Sequence, residues 1–197
     1  MANHVTYEIH RQSLSEQVYH HVKRLILSGE IRGGERIPEE KVAQQFGVSR
    51  TPIRGALHRL EEYGLIQIKP RSHAVVVALE PREAGPLAAI RSQLETLAVS
   101  LLTDCGTDED FKALDIMAQE CNALIAEGDI AATFEKDSFL HLEIARRTGN
   151  HHLYEIYEKL DAKVQLLRLV LMLPLEKLKL YVQHHDEIIL AMKRRDK

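Results

Sequence analysis

The chain of 197 residues is long enough for one large or two modest domains, and its 45% hydrophobic content excludes a globally disordered protein. Its net charge of −3 is unevenly distributed, because residues 1–78 hold 11 Lys/Arg and 8 Asp/Glu, whereas residues 79–197 hold 15 and 21. A basic first part and an acidic second part predict two domains, 1–78 and 79–197, with different tasks.

Two further features of the sequence concern its cellular compartment. The N-terminus has no continuous apolar core of the kind found in signal peptides, and the longest apolar run, 166–173, is interrupted by Arg168 and is far shorter than a membrane span. Cys105 and Cys121 lie in sequence with helical spacing, and two isolated thiols are typical of a reducing compartment. We therefore expect a cytoplasmic protein with two free cysteines and no membrane partner.

The first 63 residues have the spacing of three helices. Apolar residues recur at helical intervals over 13–28, where Ser13 or Ser15 is placed to begin the helix. A second helix is predicted over 38–46 and a third over 50–63, with a glycine between them that ends the second.

Two short runs that favour β-strands follow, 65–69 and 74–78, with a polar, proline-containing tip between them. This pattern predicts a β-hairpin. Three helices followed by a hairpin make a winged helix-turn-helix, in which the hairpin tip is the wing.

From about residue 81 the strand pattern ends and helical spacing takes over. Asp108, Asp129 and Asn150 are placed as helix caps, and Pro174 either separates two helices or kinks a single long one. The helices are predicted over roughly 82–103, 108–127, 129–147, 150–172 and 175–195. We expect an antiparallel all-α bundle here, and a mainly α fold for the whole chain.

The segment 47–60 indicates the task of the first domain. Ser49 is placed to cap the third helix through its hydroxyl, which can accept a hydrogen bond from an unpaired N–H of the first turn. Arg50, Thr51 and Arg54 then crowd the N-terminal end of that helix. A helix of this kind, directly after another short helix, suits the DNA major groove.

The same residues suggest how DNA would be contacted. Arg50 and Arg54 lie four residues apart on one helical face, and arginine can bond O6 and N7 of guanine together. Thr51 suits a phosphate or a thymine methyl group. Residues better suited to phosphate contacts, which position without specifying, are Lys41, Ser49, Lys69, Arg71 and Ser72. Because most helix-turn-helix proteins bind two half-sites as dimers, we expect a homodimer on a palindromic double-stranded DNA operator.

In the second domain, Asp137 and His141 lie four residues apart and therefore on one face of a helix. A carboxylate and an imidazole on adjacent turns form half of a site for a divalent metal such as zinc, nickel or manganese. An Asp-x-x-x-His pair is also common as an ordinary surface pair, so these residues alone leave both interpretations open.

The motif Gly47-Val-Ser-Arg-Thr-Pro-Ile-Arg54, followed by Leu57, Leu60 and Gly64, makes residues 25–78 resemble the GntR family of bacterial regulators. Four motifs in order make the second half resemble the FadR-type, or FCD, effector domain: Arg91-Ser-Gln-Leu-Glu95, Asp137-Ser-Phe-Leu-His141, Gly149-Asn150 and 185–191. Together these motifs extend over nearly the whole chain.

The resemblance implies a transcriptional regulator with an effector-binding and dimerisation domain. It places Asp137, His141 and His185 in a metal site and Arg91 beside a small carboxylate effector, although Arg91 could instead pair with a neighbouring carboxylate. The family pattern continues into a helix with a further metal-site histidine, so its last helix is expected to be missing after Lys197. The remaining metal positions would then be open to water or to the organic acid. Other basic residues that suit an acid are Arg146, Arg147, Arg168 and His184.

Two positions depart from the family pattern. Gly55 stands where the family usually has glutamate, and glycine costs a helix about 1 kcal/mol relative to alanine. His73 stands where the wing tip usually carries glycine, so a minor-groove contact there would use the histidine side chain. We therefore expect a softened recognition helix and a DNA contact from His73.

Two other functions remain open at this point. An Asp/His/His metal with an open position could activate water, which would make the bundle a metal-dependent hydrolase. A metal-free helical interaction module is the other alternative. The regulator is favoured because the sequence shows neither a nucleophile motif such as Gly-x-Ser-x-Gly nor a well-placed general base.

Overall fold

The computed structural model describes residues 13–70 and 73–196, and the predicted mainly α architecture is confirmed there. A single turn of 3-10 helix, Pro81–Glu83, joins the hairpin to the second half. The regular elements in chain order are α1 (Leu14–Leu27), α2 (Glu39–Phe46), α3 (Arg50–Glu62), β1 (Ile66–Ile68), β2 (Ala74–Val76), α4 (Ala84–Cys105), α5 (Asp108–Glu127), α6 (Ile130–Arg147), α7 (His151–Leu171) and α8 (Leu175–Lys193). We call 13–76 the N-terminal unit and α4–α8 the helical bundle.

The N-terminal unit is a winged helix-turn-helix, as the sequence predicts. Strands β1 and β2 pair antiparallel with Ile66 opposite Val76. Their inward residues join α1 and α3 in one core, in which Ile26 and Leu60 are completely buried. Because three short helices and a hairpin share this core, the first turn of α3 projects outward from a rigid base.

Most of the predicted helix starts are confirmed, and two capping predictions are wrong. Ser13 caps α1 by accepting a hydrogen bond from the Glu16 amide at 3.1 Å. Ser49 occupies the N-cap position of α3, but its hydroxyl makes no capping hydrogen bond. Thr107, not Asp108, caps α5: its hydroxyl accepts from the Asp110 amide while the Asp110 carboxylate accepts from the Thr107 amide.

The remaining helix ends follow the sequence pattern. Asp129 and Asn150 cap α6 and α7 through their side-chain oxygens, at 3.0 and 3.2 Å from the amides of Ala132 and Leu153. The chain breaks between α7 and α8 at Met172, whose φ of 44° lies in the left-handed region, and Pro174 begins the next helix rather than kinking a single one.

The helical bundle has a core of its own. Its largest fully buried side chains come from all five helices and include Leu102, Phe111, Leu140, Tyr157 and Ile189. Helix α5 packs on α6 and α8, while α4 packs on α6, α7 and α8. The inner faces of α4, α6, α7 and α8 therefore converge on one region of the bundle.

Helix α7 also contributes to the other core. Ala162 and Leu166 are each 5% exposed and belong to the hydrophobic cluster of the N-terminal unit, together with α1 residues such as Val22. The end of α3 meets the same helix, because Gly64 lies against the side chain of Lys163. One helix of the bundle is therefore built into the base of the winged helix-turn-helix.

Cys105 is exposed and Cys121 is buried, and both are free thiols, as predicted. Within 13–70 and 73–196, no helix is both long and apolar enough to cross a membrane.

Candidate DNA-reading surface and metal centre

Helix α3 has two distinct faces. Ile53, Leu57 and Leu60 are buried against the N-terminal unit, whereas Arg50 and Arg54 are exposed on the opposite face. The sharp reversal that brings α3 back after α2 runs through Gly47, whose φ of 61° is readily adopted only by glycine. The folding of this turn thus leaves both arginines free to meet a groove of DNA.

The side chains around this surface are held weakly. Arg50 lies 3.8 Å from Glu40, but the two side chains are 89% and 87% exposed, so the pair contributes little and is easily exchanged for another partner. Thr51, Lys41, Ser49 and Lys69 are also exposed. The structure therefore presents these sequence-predicted contacts on the outside of the molecule.

Two other predicted contacts lie at the wing. His73 is half-buried, and its carbonyl accepts a hydrogen bond from the Lys69 amide at 2.9 Å at the base of the wing. Arg71 and Ser72 lie outside the described residues.

A close approach of two helices accounts for Gly55. A Cβ atom built at this position would lie 2.8 Å from the Ser15 hydroxyl of α1. Any larger residue therefore requires Ser15 to move, so a small residue at 55 is matched to the start of α1. Nearby, Arg59 pairs with Glu16 at 2.6 Å and lies over the Tyr19 ring, so it supports the helix packing rather than being a solvated surface charge.

The bundle brings the three predicted metal ligands together. Asp137 and His141 project from adjacent turns of α6, and His185 projects from α8. Asp137 Oδ1 lies 3.6 Å from His141 Nε2 and 3.2 Å from His185 Nε2, and the two Nε2 atoms lie 3.2 Å apart. For bonds of about 2.0–2.1 Å to a tetrahedral zinc, adjacent donor atoms are about 3.3 Å apart. The observed triangle has the size that one metal ion needs.

His185 is the more deeply buried of the two histidines. It is 5% exposed, and its Nδ1 atom has no hydrogen-bond partner among the described residues. Its Nε2 faces the other two donors. One carboxylate and two imidazoles are ligands that zinc, nickel and manganese accept.

A second layer of hydrogen bonds orients His141. Glu95 on α4 places Oε1 3.0 Å from His141 Nδ1, on the other side of the ring from the metal-facing nitrogen. The same oxygen accepts from Tyr157 of α7 and from Arg91 Nε, each at 2.6 Å. A carboxylate behind a ligating histidine is the usual arrangement at metal sites, because it selects the tautomer whose Nε2 is free to bind.

The Asp137 carboxylate is held in the same manner. Its Oδ1 faces the two histidines, while its Oδ2 accepts a hydrogen bond from the Arg168 guanidinium of α7. Arg91 lies 3.9 Å from the same Oδ2. Both arginines thus approach the side of the carboxylate that points away from the candidate metal position.

These contacts shift the proton affinities of the site. Burial favours a protonated Asp137, but Arg168 and His141 outweigh it and hold the pKa of Asp137 well below its usual range. Burial and Arg91 disfavour a charged His141, yet Asp137 and Glu95 raise the pKa of His141 to about 9. The negative charges of Asp137 and Glu95, which stabilise a protonated His141, also favour a metal cation that replaces this proton.

A small cavity of about 40 Å³ adjoins the two histidines of the candidate site. It is lined on one side by Glu95, His141 and His185 and on the other by aliphatic side chains such as Val99 and Ile188. About three water molecules fill such a volume. An organic acid of several carbon atoms therefore needs side chains to move before it enters.

Not every sequence candidate reaches this site. Arg91 and Arg168 do, but Arg146 and Arg147 pair with Glu143 instead, and His184 is exposed.

Sequence reasoning assigned no task to Glu95 or Tyr157, although the four-residue spacing from Arg91 to Glu95 was a signal for Glu95. Asp161 was also missed: it lies buried beside Ser138, with its Oδ1 lacking a partner in the part of the chain that the structure describes.

Comparison with known proteins agrees with this architecture. Residues 14–76 match the family of bacterial regulatory proteins called gntR, and residues 87–197 match the FCD domain. The chain is 28% identical to the HTH-type transcriptional regulator YdhC of Bacillus subtilis over 92% of its length and 81% of that protein. The gluconate operon transcriptional repressor of Bacillus licheniformis is 27% identical over 95% of this chain and 79% of its own.

A solved structure shows the same fold. The Escherichia coli regulator McbR superimposes with a TM-score of 0.80 and 25% sequence identity, covering 94% of this chain and 89% of that one. A winged helix-turn-helix joined to a helical effector domain defines a class of bacterial DNA-binding regulators. Within it, this chain belongs to the GntR family and carries an FCD domain.

Proposed function

We propose that this GntR-family regulator binds a palindromic operator as a homodimer in the cytoplasm and responds to a small organic acid through a divalent metal held by Asp137, His141 and His185. The observation that carries the effector half of this proposal is the triangle of donor atoms with edges of 3.2–3.6 Å. The relatives are named as transcriptional regulators, which favours this function over a metal-dependent hydrolase.

The DNA half of the proposal is supported by the exposed end of α3. Arg50 and Arg54 stand exposed on its outer face, and the contact of Arg50 with Glu40 is weak. Each arginine that pairs with a guanine contributes about 1–3 kcal/mol of discrimination between bases. One such helix reads only a few base pairs, so two copies on a two-fold operator supply the specificity that a regulator needs.

The charge balance of the site favours an anionic effector. Asp137 and Glu95 balance Arg91 and Arg168, so a divalent cation leaves the site about two charges positive, and it stays positive if Asp161 is counted as a third carboxylate. A bound carboxylate reduces this positive charge. The similarity to a gluconate operon repressor is in keeping with an organic acid.

The protein's own residues have separable tasks in this mechanism. Asp137, His141 and His185 would hold the metal, which supplies a positively charged position for a carboxylate oxygen. Arg91 would have to release its contact with Glu95 to reach the acid, and the aliphatic side chains that line the cavity would contact the carbon atoms of the acid. Since the cavity of about 40 Å³ must open to admit the acid, binding favours one arrangement of the helices over another.

Two measurements test the proposal. Metal analysis of the purified protein should find about one zinc, nickel or manganese per chain, and none in the His185→Gln variant; an empty wild-type protein under metal-replete growth would contradict the metal site. Selection of bound sequences from a random DNA pool should return a two-fold symmetric consensus. A consensus without symmetry would contradict the dimeric operator.

A further inference from the structure

Helix α7 contributes no metal ligand, yet its side chains hold two of the three candidate ligands. Arg168 donates to Asp137 Oδ2, and Tyr157 donates at 2.6 Å to Glu95, the carboxylate that lies behind His141. The two α7 residues are separated by eleven positions, or three turns, and therefore lie on one face of the helix.

The adjoining face of α7 belongs to the N-terminal unit. Ala162 and Leu166 are buried in its hydrophobic core, and the Lys163 side chain lies against Gly64, just after α3. Leu166 precedes Arg168 by only two residues. A continuous helix moves as a rigid element over two residues. A displacement of Arg168 therefore also displaces Leu166, which packs in the core that holds α3.

The Asp137 carboxylate is the point at which the state of the site can reach this helix. Its two oxygens serve different neighbours, Oδ1 the histidines and Oδ2 Arg168. The strength of a charge-assisted hydrogen bond depends on the charge that its acceptor retains. What Asp137 binds through Oδ1 therefore alters how firmly it holds Arg168.

We propose that Arg168 is the positioning residue that fixes the Asp137 ligand, and that α7 transmits occupancy of the metal site to the DNA-reading unit. This inference rests on the proposed metal site but adds to it a specific path. The path runs from Asp137 through Arg168 along α7 to Leu166 and the core shared by α1 and α3.

Hydrogen exchange of the full chain, with and without zinc chloride, tests the path. Zinc should slow exchange in segments containing Asp137, His141 and His185, and should also change it over 14–27 and 50–62. In Leu166→Val, which removes one methylene group from this core, the local effect should persist and the effect over 50–62 should shrink at least twofold. Val170→Ala, at an exposed position of α7, is the matched control and should behave as the wild type.

Zinc titration by calorimetry tests Arg168 itself. Arg168→Gln should weaken zinc binding by about 10–100-fold, because neighbours that orient a metal ligand contribute affinity of that order. It should also remove the remote exchange effect at saturating zinc. An affinity within twofold of the wild type would overturn the role of Arg168.

The outcomes separate the path from the metal site. Local protection at the three ligands with no change over 14–27 and 50–62 in the wild-type chain would overturn transmission through α7 and leave the metal site intact. Absence of both zinc binding and local protection would overturn the metal site, and this inference with it.

Discussion

Glu95 and His141 meet across two helices with the carboxylate oxygen 3.0 Å from the imidazole Nδ1. The contact turns the other ring nitrogen toward Asp137 and His185. Burial opposes the charge of Glu95, but His141 and Arg91 hold the pKa of Glu95 well below its usual range, so it stays a carboxylate. The geometry therefore orients His141 toward the candidate metal position, and a metal would displace its proton on binding.

Replacing this carboxylate should weaken the metal site without emptying it. Glu95→Gln keeps the size of the side chain but loses its charge, so we expect zinc affinity to fall by about 10–100-fold in a calorimetric titration. Tyr157→Phe, which removes only one hydrogen bond to Glu95, is the control and should have a smaller effect. Equal zinc affinities for Glu95→Gln and the wild type would show that Glu95 does not orient His141.

Metal binding should stabilise the fold. Zinc at a free concentration of one hundred times its dissociation constant should add about 2.7 kcal/mol to the free energy of unfolding, because it binds only the folded chain. Thermal unfolding with zinc and then with excess chelator measures the gain and its reversal. His185→Gln should abolish the gain, whereas His184→Gln, at the exposed neighbouring position, should retain it. A gain that survives in His185→Gln would place the metal elsewhere.

Substitutions on α3 and α2 should distinguish contacts with DNA bases from contacts with phosphates. Arg54→Ala should lower the preference for the selected operator over a scrambled sequence by about 1–3 kcal/mol, since a base contact is lost. Lys41→Ala should weaken binding to both sequences alike. It should also reduce the slope of log affinity against log salt concentration by about one. Fluorescence anisotropy at several salt concentrations measures both effects.

His58→Ala is the matched control for this series, because His58 is exposed on the same helix beyond the reading end. It should bind the operator as the wild type does. If Arg54→Ala kept full discrimination, α3 would not be the recognition helix.

The contact between Gly55 and Ser15 predicts a non-additive pair of mutations. Gly55→Ala alone should change stability little, because the gain of about 1 kcal/mol in helix propensity is offset by the close approach to the Ser15 hydroxyl. With Ser15→Ala in addition, the hydroxyl is absent and the gain should appear in urea unfolding. The Ser15→Ala single variant serves as the reference, and additive effects would contradict the close contact.

Much of the fold could be read from local spacing. The helix boundaries agree with the apolar periodicity to within a few residues, and Ser13, Asp129 and Asn150 cap the helices that they were predicted to begin. The capping prediction for Asp108 was wrong because two adjacent polar residues, Thr107 and Asp108, both suit the N-cap. The reciprocal hydrogen bonds between Thr107 and Asp110 make Thr107 the cap.

The candidate metal ligands could be predicted from the sequence for a different reason. Asp137 and His141 are neighbours along one helix, so their spacing alone joins them. His185 lies 44 residues beyond His141, and only the resemblance of its motif to the FCD pattern connected it to the pair. The structure brings all three donors within one triangle.

Spacing along the chain was enough to predict the winged helix-turn-helix, the helical second half and the exposed residues at the start of α3, because these depend on residues that are close in sequence. The positions of Glu95, Tyr157 and Arg168 around the candidate metal ligands, and of Leu166 in the other core, became known only from the folded structure. Those contacts join side chains from different helices, and their partners follow from how the helices pack rather than from any spacing within one of them.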